Sequence, residues 1–141
     1  MKLRGVEKKR NPYKDPHSGL NILEIVADDG EKRFYDSGIE IRSTALTRFS
    51  VGDSDPLSAK AEYEWVWEFS RENWQTKTKT NTTITSDLKY FYLKAESIAQ
   101  KSGVEIFRQQ WDRKYLRDHF WSRGRQIVFL VHMLVHNQIN K

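Results

Sequence analysis

Four groupings in this 141-residue sequence have residue types that could do chemistry. Gly52-Asp53-Ser54-Asp55-Pro56 places a serine in a tight turn, but as G-x-S-x-P rather than the G-x-S-x-G of a hydrolase elbow. Proline fixes its own φ and a strand follows, so this stretch reads as a structural turn rather than a nucleophile. His132 and His136 stand four apart, the spacing of zinc ligands on one helix face, yet Met133, Leu134 and Val135 leave no general base between them. Glu62, Glu64 and Glu68 could supply paired carboxylates, but cross-strand ion pairs with Lys77 and Lys79 explain them more simply. The row Tyr63, Trp65, Trp67 could stack on bases or sugars, with core packing as the preferred reading. No phosphate-cradling glycine loop is present, and no catalytic residue, metal or cofactor is assigned.

The elements that must hold these residues are strands. In Ala61 to Ile84, period-two reading puts Ala61, Tyr63, Trp65, Trp67 and Phe69 on one face and Glu62, Glu64, Val66 and Glu68 on the other. Trp74, Thr76, Thr78, Thr80, Thr82 and Ile84 then alternate with Gln75, Lys77, Lys79 and Asn81. A turn at Arg71-Glu72 would set Phe69 opposite Trp74, Trp67 opposite Thr76, Trp65 opposite Thr78 and Glu64 opposite Lys79. The Thr/Lys alternation itself reads as an exposed strand face. Lys89 to Gln100 continues the pattern with Phe91, Leu93, Ala95 and Ala99 in phase, and Val104 to Arg113 with Phe107 and Trp111. A three-residue loop at Lys101-Ser102-Gly103 aligns Phe107 with Ala99 and Trp111 with Ala95, whereas a two-residue loop would pair Trp111 with Lys94.

Upstream, residues 1–19 are basic and hold Pro12 and Pro16, which suggests a flexible extended arm. Asn21 to Ala27 and Lys32 to Tyr35 read as a short hairpin around Asp28-Asp29-Gly30. Ile39 to Thr47 is ambiguous between strand and coil, and Arg48 to Val51 is a brief strand. Arg125 to Gln138 suits a helix, so the expected organisation is an arm (1–19), an antiparallel β domain (20–120) and a C-terminal apolar helix (121–141). The fold class is mainly β, an antiparallel β-sandwich or jelly-roll-like meander.

Composition narrows the function classes. The net charge is +5, but 24 basic residues are interleaved with 19 acidic ones, so a nucleic-acid partner is not expected. There are no cysteines, which excludes disulfides and thiolate metal sites. The longest apolar run, Ile127 to Val135, falls short of the ~20 residues that span a bilayer, and no secretory h-region is visible. A cytoplasmic protein with no membrane association is expected.

Residues 36–119 resemble the C-terminal region of the CocE/NonD hydrolases, relatives of the X-Pro dipeptidyl-peptidases. The shared blocks are Gly52-Asp53-Ser54-Asp55-Pro56-Leu57-Ser58-Ala59, the strand with Trp65, Arg71-Glu72-Asn73-Trp74, the Thr-rich strand to Thr85-Ser86-Asp87, Phe91, Val104 to Trp111, and Leu116-Arg117-Asp118-His119. The resemblance implies a β region that packs on an α/β-hydrolase domain and helps to shape its substrate pocket. That domain supplies the catalytic Ser, Asp and His, so none transfers to this chain, and residues 121–141 depart from the family pattern. Two roles follow as expectations: a non-catalytic accessory domain, or a stand-alone β domain binding a small apolar ligand or a protein, with Tyr63, Trp65, Trp67, Trp74, Phe91 and Trp111 as interface or pocket; the expected partner is an α/β-hydrolase catalytic chain or a second copy of this chain.

Overall fold

A computed structural model describes residues 1–117. They form eight strands: β1 (Lys2–Arg4), β2 (Glu7–Lys14), β3 (Asn21–Arg33), β4 (Glu40–Val51), β5 (Lys60–Arg71), β6 (Trp74–Ser86), β7 (Tyr90–Lys101) and β8 (Val104–Leu116). From β3 to β8 each strand pairs antiparallel with the next, while β1 and β2 both pair with β3, giving one sheet in order β1/β2-β3-β4-β5-β6-β7-β8. The mainly-β, antiparallel expectation holds. The proposed helix at 121–141 and the His132/His136 pair lie outside the described residues.

Three local expectations are corrected. Residues 1–19 are not an unpaired arm, because β2 aligns with β3 over its whole length, from Glu7 opposite Asp28 to Lys14 opposite Asn21. The following bend is closed by the Asp15 carboxylate, which accepts from the His17 and Ser18 amides, both at 3.2 Å, and by Gly19 at φ 70°. Asp28-Asp29-Gly30 is not a hairpin turn either. Strand β3 runs straight through it as a bulge against β4, with Gly30 at φ 75° and buried beneath the β1–β2 junction. Ile39 to Thr47 and Arg48 to Val51 are a single strand, β4, whose residues face β5 from Glu40 opposite Ser70 to Ser50 opposite Lys60.

The central hairpin keeps its two faces but shifts its register. The turn is Glu72-Asn73, so Arg71 opposes Trp74, Phe69 opposes Thr76, Trp67 opposes Thr78 and Trp65 opposes Thr80. Moving a turn by one residue moves the pairing by two, which leaves every side chain on its expected face. Glu72 takes φ 52°, the positive value that lets a two-residue connection follow strand twist. Glu68 now opposes Lys77 and pairs with it at 3.1 Å, while Glu64 reaches Lys79 diagonally at 2.8 Å. The threonines at 76, 78, 80 and 82 share the aromatic face instead of an exposed one, and Thr82 is buried.

The last hairpin combines both loop readings. Its turn is the two-residue Ser102-Gly103, with Lys101 opposite Val104. A bulge at Ile106 then inserts the missing residue, so Phe107 opposes Ala99 and Trp111 opposes Ala95 as the apolar pattern demands. Burial of one face outweighed the regularity of the ladder.

Candidate functional site on the aromatic face

The ladder sorts the side chains into two faces of opposite chemistry. One face carries charge in partnered rows. Glu24 accepts from Arg48 (2.9 Å) and from the Tyr13 hydroxyl (3.1 Å), Arg4 makes a bidentate pair with Asp28 at 2.7 Å, and Arg108 joins Glu96 (2.6 Å) to Glu105 (2.8 Å). Glu62, Glu64 and Glu68 belong here, each paired with a lysine. The Arg48 guanidinium holds the Glu24 carboxyl below the usual range, Arg4 does the same for Asp28, and Gln110 followed by Arg108 for Glu96.

These depressed values set the sign of a pH dependence. A carboxyl whose folded pKa lies below its unfolded value of about 3.9 (Asp) or 4.3 (Glu) stabilises the fold above that value and loses the contribution as pH falls through the folded pKa. The urea midpoint is therefore expected to be flat from about pH 7 to 5 and to decline below about pH 4. Salt should shrink the decline, since these pairs are solvent-exposed. A midpoint unchanged down to pH 3 at low salt would show that the rows contribute nothing.

The opposite face carries the aromatic rings, with threonines between them and basic residues toward its edges. All six residues singled out from sequence lie on it by register: Tyr63, Trp65 and Trp67 on β5, Trp74 on β6, Phe91 on β7 and Trp111 on β8. Trp65 and Trp67 contact each other at 5.7 Å between ring centroids, and Trp67 stacks on Phe69 at 6.0 Å. Each large ring sits beside a small neighbour on the adjacent strand, Ala45 for Trp65 and Ser43 for Trp67. Ser43 is buried and its hydroxyl accepts from the Trp65 indole N–H at 3.0 Å, which fixes that ring. The rings are nevertheless only half-covered. Among the described residues Leu93, 3% exposed, is the one large apolar side chain that is buried, and Tyr63 and Trp74 retain 36% and 40% of their surface.

At one end of this face lies an open cleft of about 610 Å³. Its lining includes one apolar residue from each of six consecutive strands: Pro12, Leu23, Phe49, Ala61, Ile84 and Phe91. The first five oppose one another in an unbroken cross-sheet row that ends at Leu93, the partner of Ile84. At about 4.8 Å between neighbouring strands these residues span roughly 24 Å, so the cleft runs across six strands at one end of the sheet. Of the six sequence candidates only Phe91 lines the cleft. Leu23, Phe49 and Ile84 were missed because each stands near a strand end. The signal was there, since all three are in phase with their strand's apolar set, but joining them requires the register of every ladder.

The loop between β4 and β5 adjoins the cleft, which its last residue, Ala59, lines. Pro56–Ser58 forms a 3-10 turn in which the Asp55 carboxylate accepts from the Leu57 amide (3.0 Å) and Ser58 Oγ accepts from the Gly52 amide (2.8 Å). Asp53 ties this loop to β2 and β3 by accepting from Lys14 and from the Asn21 side-chain Nδ2 at 2.6 Å. Gly52 to Pro56 thus builds a turn, and Ser54 stands on no strand-to-helix elbow. On the far rim, Arg117 places its guanidinium 5.1 Å from the Phe91 ring and donates to the Asp87 carbonyl at 2.6 Å. The Asp87 carboxyl is itself held low by the Tyr92 hydroxyl and by the Lys89 and Tyr90 amides.

No group of three or more His, Asp or Glu gathers as metal ligands among the described residues, and no described helix is long and apolar enough to cross a membrane. Comparison with known proteins gives no matching family model, no matching curated protein and no matching solved structure.

Proposed function

We propose that this chain is a non-catalytic β module whose aromatic face docks on a protein partner, in the manner of the C-terminal β region of a CocE/NonD acyl hydrolase. One observation carries the reading: an eight-stranded sheet gathers its tryptophans and a row of apolar side chains on one face, yet Leu93 is the one large apolar side chain buried among the described residues. An apolar sheet face is stable in water only when a second layer covers it. The opposite face already meets solvent with its charges paired. A partner surface seated on the aromatic face would complete a sandwich-like double layer, and an α/β-hydrolase catalytic domain is the partner that the family resemblance suggests. A cytoplasmic address fits the cysteine-free sequence.

Two measurements test this. The chain alone should not hydrolyse activated esters, and turnover abolished by a serine-directed inhibitor would overturn the non-catalytic reading. Mixed with a CocE/NonD-type catalytic domain lacking its own β region, it should form a complex that Trp67→Asp weakens at least tenfold. Equal affinity for that variant would remove the aromatic face from the interface. A second reading rests on the cleft, whose volume lies within the range of about 300–1,000 Å³ typical of small-molecule sites. It requires saturable binding of an apolar probe that Ile84→Asp abolishes while the complex with the catalytic domain persists.

A further inference from the structure

We infer that this chain forms a two-fold dimer in which strand β8 pairs antiparallel with β8 of a second copy, centred on Gln110. This goes beyond the docking reading and does not depend on it, since it uses the edge of the sheet and not the aromatic face.

The two edges of the sheet differ. Strand β2 carries Lys8, Lys9, Arg10 and Lys14 together with Pro12, like charges and a missing amide that discourage a further strand. Strand β8 has 13 residues and no proline, and no described strand pairs with its outer side. Arg117 donates its amide to the Lys89 carbonyl at 2.8 Å, continuing the β7–β8 ladder by one pair. Backbone groups alternate sides along an antiparallel strand, so Arg108, Gln110, Asp112 and Lys114 point their amides and carbonyls off the sheet. The side chains of all four are exposed.

The charges of β8 select one register. Two antiparallel copies centred on Gln110 set Arg108 opposite the partner's Asp112 and Phe107 opposite the partner's Arg113. The bulge at Ile106 shortens the strand by one position, so Glu105 meets the partner's Lys114 and Val104 the partner's Tyr115. Each contact occurs twice, as an isologous interface requires, and every pair joins side chains of the same face. The four nearest registers all bring like charges together. Centring on Arg108 or Asp112 places that residue against its own copy. Centring on Gln109 places Glu105 against the partner's Asp112, and centring on Trp111 places Arg108 against the partner's Lys114.

The existing contacts of Asp112 can give way. Its carboxylate lies 3.5 Å from Lys94, and its carbonyl accepts from the Arg113 side chain at 3.1 Å. Pairing replaces that second bond by a partner amide and releases the Arg113 guanidinium toward the partner's Phe107 ring. Val104 and Phe107, both exposed, lose surface at the same time.

Sedimentation of the full chain should show a concentration-dependent dimer. Asp112→Arg and Arg108→Asp should each raise its dissociation constant at least tenfold. Mixing the two variants should restore near-native affinity, because each then supplies the charge that the other lacks. The sequence has no cysteine, so Gln110→Cys introduces a lone thiol. Hydrogen-bonded antiparallel partners stand about 5.5 Å apart at Cα, within disulfide range, so dioxygen should link two such chains. Leu88→Cys, in the exposed β6–β7 loop, should link at least tenfold more slowly. A chain that stays monomeric at millimolar concentration, a dimer that tolerates both charge reversals, a mixture that fails to associate, or equal linking rates would each overturn the inference. If Arg108→Asp fails to fold, because it also loses its bonds to Glu96 and Glu105, Asp112→Arg and the linking rates decide.

Discussion

Replacing Leu93 by alanine is expected to remove about 2–3 kcal/mol of folding stability, the lower half of the range for buried Leu→Ala changes. Leu93 is 3% exposed, faces Ile84 on one side and Arg113 on the other, and ends the apolar row that crosses from Pro12. Truncation removes its transfer free energy and leaves a void, but neighbours on an open sheet face can partly collapse into it, hence the moderate figure. With a urea m-value of about 2 kcal/mol/M the midpoint should fall by roughly 1–1.5 M. Leu88→Ala is the control: Leu88 is 80% exposed in the β6–β7 loop, and its loss should stay within about 0.5 kcal/mol. Equal midpoints for the two variants would mean that the row does not hold the sheet together.

Gly30→Ala is expected to cost about 2–5 kcal/mol and to release β1. The φ of 75° alone costs an L-residue about 1–2 kcal/mol. A Cβ there would also overlap the Arg4 carbonyl and lie 2.7 Å from that of Gly5, and such overpacking adds about 1–3 kcal/mol. The backbone cannot yield without parting β1 from β3, which would break the Arg4–Asp28 pair. Gly19→Ala separates the two costs, because Gly19 has a similar φ of 70° with open space around it. Amide exchange in Lys2 to Arg4 should accelerate in Gly30→Ala and remain native in Gly19→Ala. Equal destabilisation by both, with β1 still protected, would show that the bulge does not clamp the N-terminal strand.

The faces of β5 to β8 were legible because period-two alternation is local: Trp65 and Glu64 point apart whatever the rest of the chain does. The same logic placed all six aromatic candidates on one side. Register was less legible. Arg71-Glu72 and Glu72-Asn73 preserve the same faces, so pattern alone could not choose between turns two pairing positions apart. The bulge at Ile106 escaped for a related reason, since loop length and alignment were treated as one variable and a bulge uncouples them. Strands β1 and β2 were hidden by their composition. Basic residues and Pro12 discourage a central strand, but an edge strand tolerates both.

The sequence by itself determined that this protein is an antiparallel β structure with an aromatic face and a charged one, because alternation along a pleated strand needs no partner to be read. Only the tertiary structure decided that residues from six strand ends meet in one cleft, and that the aromatic face keeps one large apolar side chain buried among the described residues. Cross-sheet alignment accumulates strand by strand through register. No single stretch of residues encodes it.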